Sequence, residues 1–246
     1  MINQVKETTP GPGLHNRHFR YTATGGTFFA KLSKDSLEDN FIAERAGLEA
    51  SCYRRYESIF RAIIATGTLR APTPLAHGKL PLGGSFLLME HMPFIPFGQS
   101  IPEVLKHLAE GLAEMHLRDL PSDVQGFGFA SDNFLGMSPQ RNAWRRSLTS
   151  FMVENRLLPL FEQACEKFST NYGTSNEDAS AFQSMGAKIF ERAKDVFEPV
   201  SDSEPSLLHG DLWVGNCGGV PAEGGAREAA VFDPACWYGP HEFDLA

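Results

Sequence analysis

Apolar and polar positions change their period several times along the chain, and the changes mark out strands and helices. Phe19–Ala23 and Thr27–Leu32 carry aromatic and β-branched residues on either side of Thr24-Gly25-Gly26, which predicts two strands joined as a hairpin. Ser36–Ile64 reads as one long helix or two joined ones, with Phe41, Leu48 and Cys52 as its apolar stripe. Leu75–Lys79 and Ser85–Glu90 predict two further strands, separated by Pro81-Leu82-Gly83-Gly84 and preceded by the linker Ala71-Pro72-Thr73-Pro74. Residues 1–13 are polar and end in Pro10-Gly11-Pro12-Gly13, so a strand before them is expected to be short or absent.

The pattern then becomes helical. Ser100 and Glu103 form a capping box around Pro102. Ile101, Val104, Leu105, Leu108, Leu112 and Met115 follow at helical period, and this helix is expected to end near Leu120-Pro121. Gln125–Gln140 reads as a loop pinned by Phe127, Phe129 and Phe134. Trp144–Ala164 predicts a helix with Trp144, Leu148, Phe151 and Met152 on one side, and Ala179–Phe197 another with Phe182, Met185, Ile189 and Val196 inward. Val220–Ala229 is expected to be an exposed turn between two strands.

Composition narrows the class. Hydrophobic residues make up 42% and charged residues 21% of 246 positions, as in an ordinary globular protein with substantial cores. A net charge of −8 argues against a nucleic-acid partner, which needs clustered Lys and Arg. No stretch approaches the roughly 20 apolar residues of a membrane span, and the N-terminus has no apolar signal core. Cys52, Cys165, Cys217 and Cys236 form no C-x-x-C pair and read as reduced thiols of an intracellular, cytoplasm-like compartment, with Cys217 and Cys236, close to motif residues, read as buried and inert.

The densest chemistry lies in Leu207–Asp244. Leu207-Leu208 ends in His209-Gly210-Asp211, Asn216 follows, and Val231-Phe232 ends in Asp233. Asp211, Asn216 and Asp233 therefore sit at the mouths of short strands. This set suits phosphoryl transfer: one carboxylate takes the proton of an attacking hydroxyl, while an Asn and a second Asp hold the Mg²⁺ that bridges nucleotide phosphates. Magnesium wants oxygen ligands and commonly takes one or two carboxylates plus phosphate and water.

The strings LLHGDLWVGN and VFDPACWYGPHEFDLA resemble the fructosamine-3-kinase (ketosamine-3-kinase) family, itself related to aminoglycoside phosphotransferases and choline kinases. The DLW-x-GN and FDPA-x-x-YG strings are its specific part. The resemblance runs from about Lys31 to Ala246. It implies an α+β, protein-kinase-like fold of two lobes: a nucleotide-binding lobe over 1–92, with an antiparallel sheet and one main helix, and a larger, mainly helical catalytic and acceptor lobe over 93–246. It also implies that the chain stops where further helices would follow.

The resemblance implies site roles as well. Lys31 contacts the α/β-phosphates of ATP, positioned by Glu44, with Glu49 competing for that role. Gly11 and Gly13 are candidates for the loop over the phosphates, though Pro10 and Pro12 beside them suit a tail equally well. The Glu90 carbonyl and the Met92 N–H meet the adenine edge, with Met89 behind it. Asp211 is the base, and Asn216 and Asp233 hold Mg²⁺. His209 and His116 are scaffolding, Asp244 braces the catalytic loop, and Trp144, Trp213 and Trp237 are candidates to stack on a sugar.

The implied activity is ATP-dependent phosphorylation of the 3-hydroxyl of ribulosamine or fructosamine adducts on protein lysines or small amines, which leads to deglycation. Glycated proteins or glycated amines are the implied partners, and monomer and homodimer remain open. The alternatives are a kinase of the aminoglycoside or choline type, and an inactive kinase-like binding protein.

Overall fold

Cross-strand pairing of the aromatic and β-branched runs builds a five-stranded sheet, antiparallel throughout, in the computed structural model of the chain. The structure describes residues 2–8, 17–33, 57–81, 84–96, 102–135, 138–172, 176–200 and 203–245. The strands are β1 (Ile2–Thr8), β2 (Arg17–Ala23), β3 (Gly26–Ser33), β4 (Pro74–Lys79) and β5 (Ser85–Glu90), in the order β1-β2-β3-β5-β4. The hairpin predicted at Thr24-Gly25-Gly26 is present: Gly25 and Gly26 take φ of 111° and 146°, which a side chain would resist. The first strand is not short. Its residues pair with β2 from Ile2↔Ala23 to Thr8↔His18, because ladder hydrogen bonds need no apolar side chains.

Register fixes which residues share a face. Thr8 pairs with His18, His18 with Lys31, Lys31 with Leu87 and Leu87 with His77. Directly opposed residues point the same way, so these five form one row across the sheet. Residues 57–66 are helical (α1), with Ile59, Phe60 and Ile63 fully buried. Glu57 Oε2 of α1 meets His77 Nε2 at 3.2 Å. The remainder of the long predicted helix lies outside the described residues, as do Glu44, Glu49, Gly11, Gly13, Ser100 and Ile101.

The chain forms two compact units. The first comprises Met1–Arg118 with Asp211–Pro234, the second Asp119–Gly210 with Ala235–Ala246. Besides the five-stranded sheet, the first contains β6 (Ile95–Pro96), α2 (Pro102–His116), and the hairpin of β10 (Cys217–Pro221) and β11 (Arg227–Val231), in sheet order β11-β10-β6. The exposed turn is thus shorter than Val220–Ala229: Val220 and Ala229 are buried strand residues. Helix α2 buries Val104, Gly111, Leu112 and Met115 and leaves Leu105 half exposed. Gly111 supplies what the apolar count missed. A Cβ there would lie 2.5 Å from Leu69 and 2.7 Å from the Thr68 carbonyl. The helix stops at His116, before Leu120.

The second unit contains β7 (Asn133–Leu135), β8 (Ser138–Gln140), α3 (Leu148–Phe151), a π-helical stretch Met152–Leu157, α4 (Leu158–Tyr172), α5 (Asn176–Phe197), β9 (Ser206–Leu208) and β12 (Trp237–Gly239). Trp144 lies before the helix rather than in it, because Ser147 caps the helix by accepting the Ser150 N–H. In α5 the buried positions are Gly186 and Ala193, with Phe182 and Phe190 against Phe161, while Met185, Ile189 and Val196 are exposed. The predicted stripe is rotated by one position, because Gly186 admits the Phe161 ring, which a Cβ would meet at 2.2 Å. No helix among the described residues is long and apolar enough to cross a membrane.

Candidate active site

Each unit holds part of the stretch that the sequence singles out. In the second unit, β9 pairs with β12 (Leu208↔Trp237) and hands the chain to His209 and Gly210. Asp244 accepts both of the next backbone N–H groups, His209 N at 2.8 Å through Oδ2 and Gly210 N at 2.9 Å through Oδ1. The Ala235 N–H donates to the His209 carbonyl at 2.8 Å. Gly210 takes φ 78°, and a Cβ there would lie 2.3 Å from the Ala235 carbonyl, so only glycine passes. His209 is wholly buried.

A second scaffold reaches β12 from the π-helical stretch. Its wider turn aims three successive side chains at the segment Arg141–Arg145. Arg145 Nε donates to Glu154 at 2.8 Å, Asn155 Nδ2 to the Ala143 carbonyl at 2.6 Å, and Arg156 Nη2 to Asn142 Oδ1 at 2.7 Å. That segment holds Phe127 and Phe129 by backbone bonds, and Gly128 pairs with Tyr238 of β12. Arg156 also lies over the Phe151 and Trp237 rings, and burial lowers its pKa to about 10. Trp237 is buried against Phe151, so its indole is part of the core. Trp213 is exposed.

The first unit holds the chemistry. Asn216 Nδ2 donates to both the carbonyl and Oδ2 of Asp211, each at 2.9 Å. The Phe232 N–H donates to the Asn216 carbonyl at 2.7 Å, which ties Asn216 to the end of β11 beside Asp233. Lys31 Nζ is ion-paired with Asp233 Oδ1. Asp233 has φ 47°, a left-handed conformation that Asp tolerates better than most residues and that concentrates at functional sites. Burial pushes the Asp211 carboxyl above its ordinary value, the Asn216 hydrogen bond opposes this, and the Asp233 charge adds to it.

Lys31, Asp233, Asp211 and Asn216, selected from residues as much as 202 positions apart, therefore form one connected set. Asn216 Oδ1 and the Asp233 carboxylate offer oxygen atoms to a hard cation. No cage of three His, Cys, Asp or Glu exists among the described residues, and a pair of oxygen donors suits Mg²⁺, which brings phosphate and water with it.

Glu90 ends β5 and Met92 follows two residues later. The Glu90 N–H donates to the Thr73 carbonyl at 2.9 Å, and its carboxylate accepts from Arg70 at 2.9 Å and from Thr73. Met92 is buried with Val220 and Ala230. Two residues in the same cross-sheet row as Lys31 carry no sequence signal. His18, the cross-strand partner of Lys31, is nine-tenths buried, and burial and the Lys31 charge lower its pKa. Thr8 is its partner on the other side.

The sequence model of the fructosamine kinase family matches residues 2–246. A chloroplastic protein-ribulosamine 3-kinase of Arabidopsis thaliana is 36% identical over 235 residues, covering 96% of this chain and 62% of that protein. The chain thus spans under two thirds of the length of that relative. Among solved structures, one assigned to fructosamine-3-kinase from Haemophilus somnus superposes with TM-score 0.75 at 22% identity, over 100% of this chain and 70% of that one. The aminoglycoside phosphotransferase APH(4)-Ia in ternary complex with AMP-PNP and hygromycin B gives TM-score 0.60 at 15% identity, over 100% and 71%. The fold is that of the kinase-like phosphotransferases.

Proposed function

The chain belongs to the fructosamine kinase family, and on that premise we propose that it is the nucleotide-binding and catalytic portion of an ATP-dependent ketosamine 3-kinase. Its acceptor is a ribulosamine or fructosamine on a protein lysine or a small amine. What supports the reading is the single connected set of Asp211, Asn216, Asp233 and Lys31.

In this mechanism Asp211 orients the 3-hydroxyl of the acceptor and takes its proton as the oxygen attacks the γ-phosphorus. The bond from that phosphorus to the β,γ-bridging oxygen breaks, and ADP leaves with the electron pair. Lys31 holds the α/β-phosphates. The Glu90 carbonyl and Met92 N–H hold the adenine edge. Asn216 and Asp233 hold Mg²⁺, which supplies neutralisation of charge on the transferring phosphoryl group. The 3-phosphate then leaves the sugar as inorganic phosphate by elimination, and hydrolysis of the resulting imine by water frees the amine.

The test is ADP release with ribulosyl-lysine and fructosyl-lysine against an acceptor-free control, with phosphorus NMR of the product. Acceptor-dependent ADP and a sugar 3-phosphate are expected. Turnover only with aminoglycosides or choline, or nucleotide binding without turnover on any acceptor, overturns the reading.

A further inference from the structure

Thr8 Oγ1 and His18 Nε2 are both buried and have no hydrogen-bond partner among the described residues. They are also neighbours. Thr8 pairs with His18 between β1 and β2, and His18 pairs with Lys31 between β2 and β3. All three side chains therefore stand in one row on one face of the sheet. His18 is only 8% exposed. Orphaned buried polar atoms destabilise a fold and are rare in native structures. Two side by side, next to the lysine of the site, point to a ligand that completes them.

The chemistry of the row says which ligand. Lys31 is a cation paired with Asp233. Once Asp233 turns to a metal ion, Lys31 needs another anion. A hydroxyl and an imidazole N–H beside it are neutral donors that add contacts to that anion without adding a second charge. Before an anion binds, burial and the Lys31 charge disfavour the protonated form of His18 more than the Asp233 charge favours it. We propose that Thr8 and His18 are nucleotide-phosphate ligands, donating Oγ1–H and Nε2–H to phosphate oxygens adjoining the ones that Lys31 holds. The inference rests on the nucleotide-binding reading above and extends it to two residues that no motif marks.

The test is calorimetric titration of wild type, Thr8→Val and His18→Phe with the Mg²⁺ complex of a non-hydrolysable ATP analogue and, in parallel, with adenosine, which has no phosphates. Hydrogen bonds to charged groups imply that each variant binds the analogue about tenfold more weakly, while adenosine affinity is unchanged. Because each substitution removes an orphaned polar atom, both variants should also melt higher than wild type without ligand. A ratio of analogue to adenosine affinity that stays at the wild-type value in both variants overturns the proposal, whatever the melting temperatures. Wild type that binds neither compound overturns the nucleotide reading itself, and this inference with it.

Discussion

Lys31 and Asp233 are ion-paired with each other across 202 positions of sequence, so the group assigned to the phosphates and the group assigned to the metal satisfy one another until substrate arrives. In the proposed mechanism, binding of the magnesium nucleotide separates them. Asp233→Asn removes the competition for Lys31, and should bind ATP about fivefold more tightly than wild type in the presence of a chelator, the equivalent of ~1 kcal/mol for a pair that is partly exposed. The same variant should lose Mg²⁺-dependent turnover by ~10²–10³-fold, the scale of a lost electrostatic stabiliser. Calorimetry with and without chelator, beside steady-state rates, reads both effects.

Asp211 carries a second prediction, in pH. Its carboxyl is raised by burial, and only the ionised form can accept a proton. Activity should therefore rise with pH through a limb that lies above the ordinary carboxylate range, and fall as pH drops through it. The Asn216 hydrogen bond holds that limb down, so Asn216→Ala should move the limb to higher pH in a kcat profile. For stability the sign is reversed from that of a salt-bridged carboxylate. The folded state binds the proton more readily than the unfolded one, so ionisation at neutral pH costs stability that is recovered as pH falls. Asp211→Asn should lose ~10²–10⁴-fold in turnover while melting no lower than wild type.

The strands and the oxygen-bearing set were legible in the sequence because each announces itself locally. Strand alternation marks β4 and β5 to within one residue, and Asp211, Asn216 and Asp233 each stand where an apolar run begins or ends. What was not legible depends on partners far away in the chain. β1 is a polar strand that exists because β2 pairs with it. Trp144 looks like the start of a helix, yet the cap is Ser147. Thr8 and His18 become neighbours of Lys31 only through register, which a one-residue slip would undo.

Helix α5 shows the same limit and yields a third prediction. Counting apolar residues selects Met185, Ile189 and Val196, all of them exposed, and passes over Gly186 because hydrophobicity does not mark a glycine. Phe161 stacks on Phe182 at 5.2 Å and meets Phe190 edge-on at 5.4 Å, so its ring cannot step aside for a side chain at 186. Gly186→Leu should cost ~1–3 kcal/mol by overpacking, despite the better helix propensity of leucine. Met185→Ala should stay within ~0.5 kcal/mol of wild type. Urea denaturation of the two variants separates the real packing face from the apparent one.

The thiols give a fourth. Burial pushes Cys217 up to about 11 and Cys236 well above its ordinary value, and both side chains are buried, whereas Cys165 is partly exposed. The thiolate is the reactive form. Native alkylation at pH 7.5 followed by mass spectrometry should therefore label Cys165 well ahead of Cys217 and Cys236, and modification of Cys165 should leave nucleotide binding unchanged.

Asp244 gives the last prediction, because its hydrogen bonds hold the two residues that precede the proposed base. Its two oxygens accept the N–H groups of His209 and Gly210, and those two residues lead directly into Asp211. Asp244→Ala leaves both N–H groups without an acceptor, at ~1–3 kcal/mol for each one that stays buried, and releases the turn that aims the base. Asp244→Asn keeps the shape and one acceptor oxygen, so it should recover part of the loss. The expected order in both melting temperature and kcat is wild type, Asn, then Ala, with KM for the nucleotide nearly constant. That split distinguishes a positioning residue from a ligand: if Asp244→Ala raised KM for ATP and left kcat alone, Asp244 would belong to the binding surface instead of the support beneath the loop.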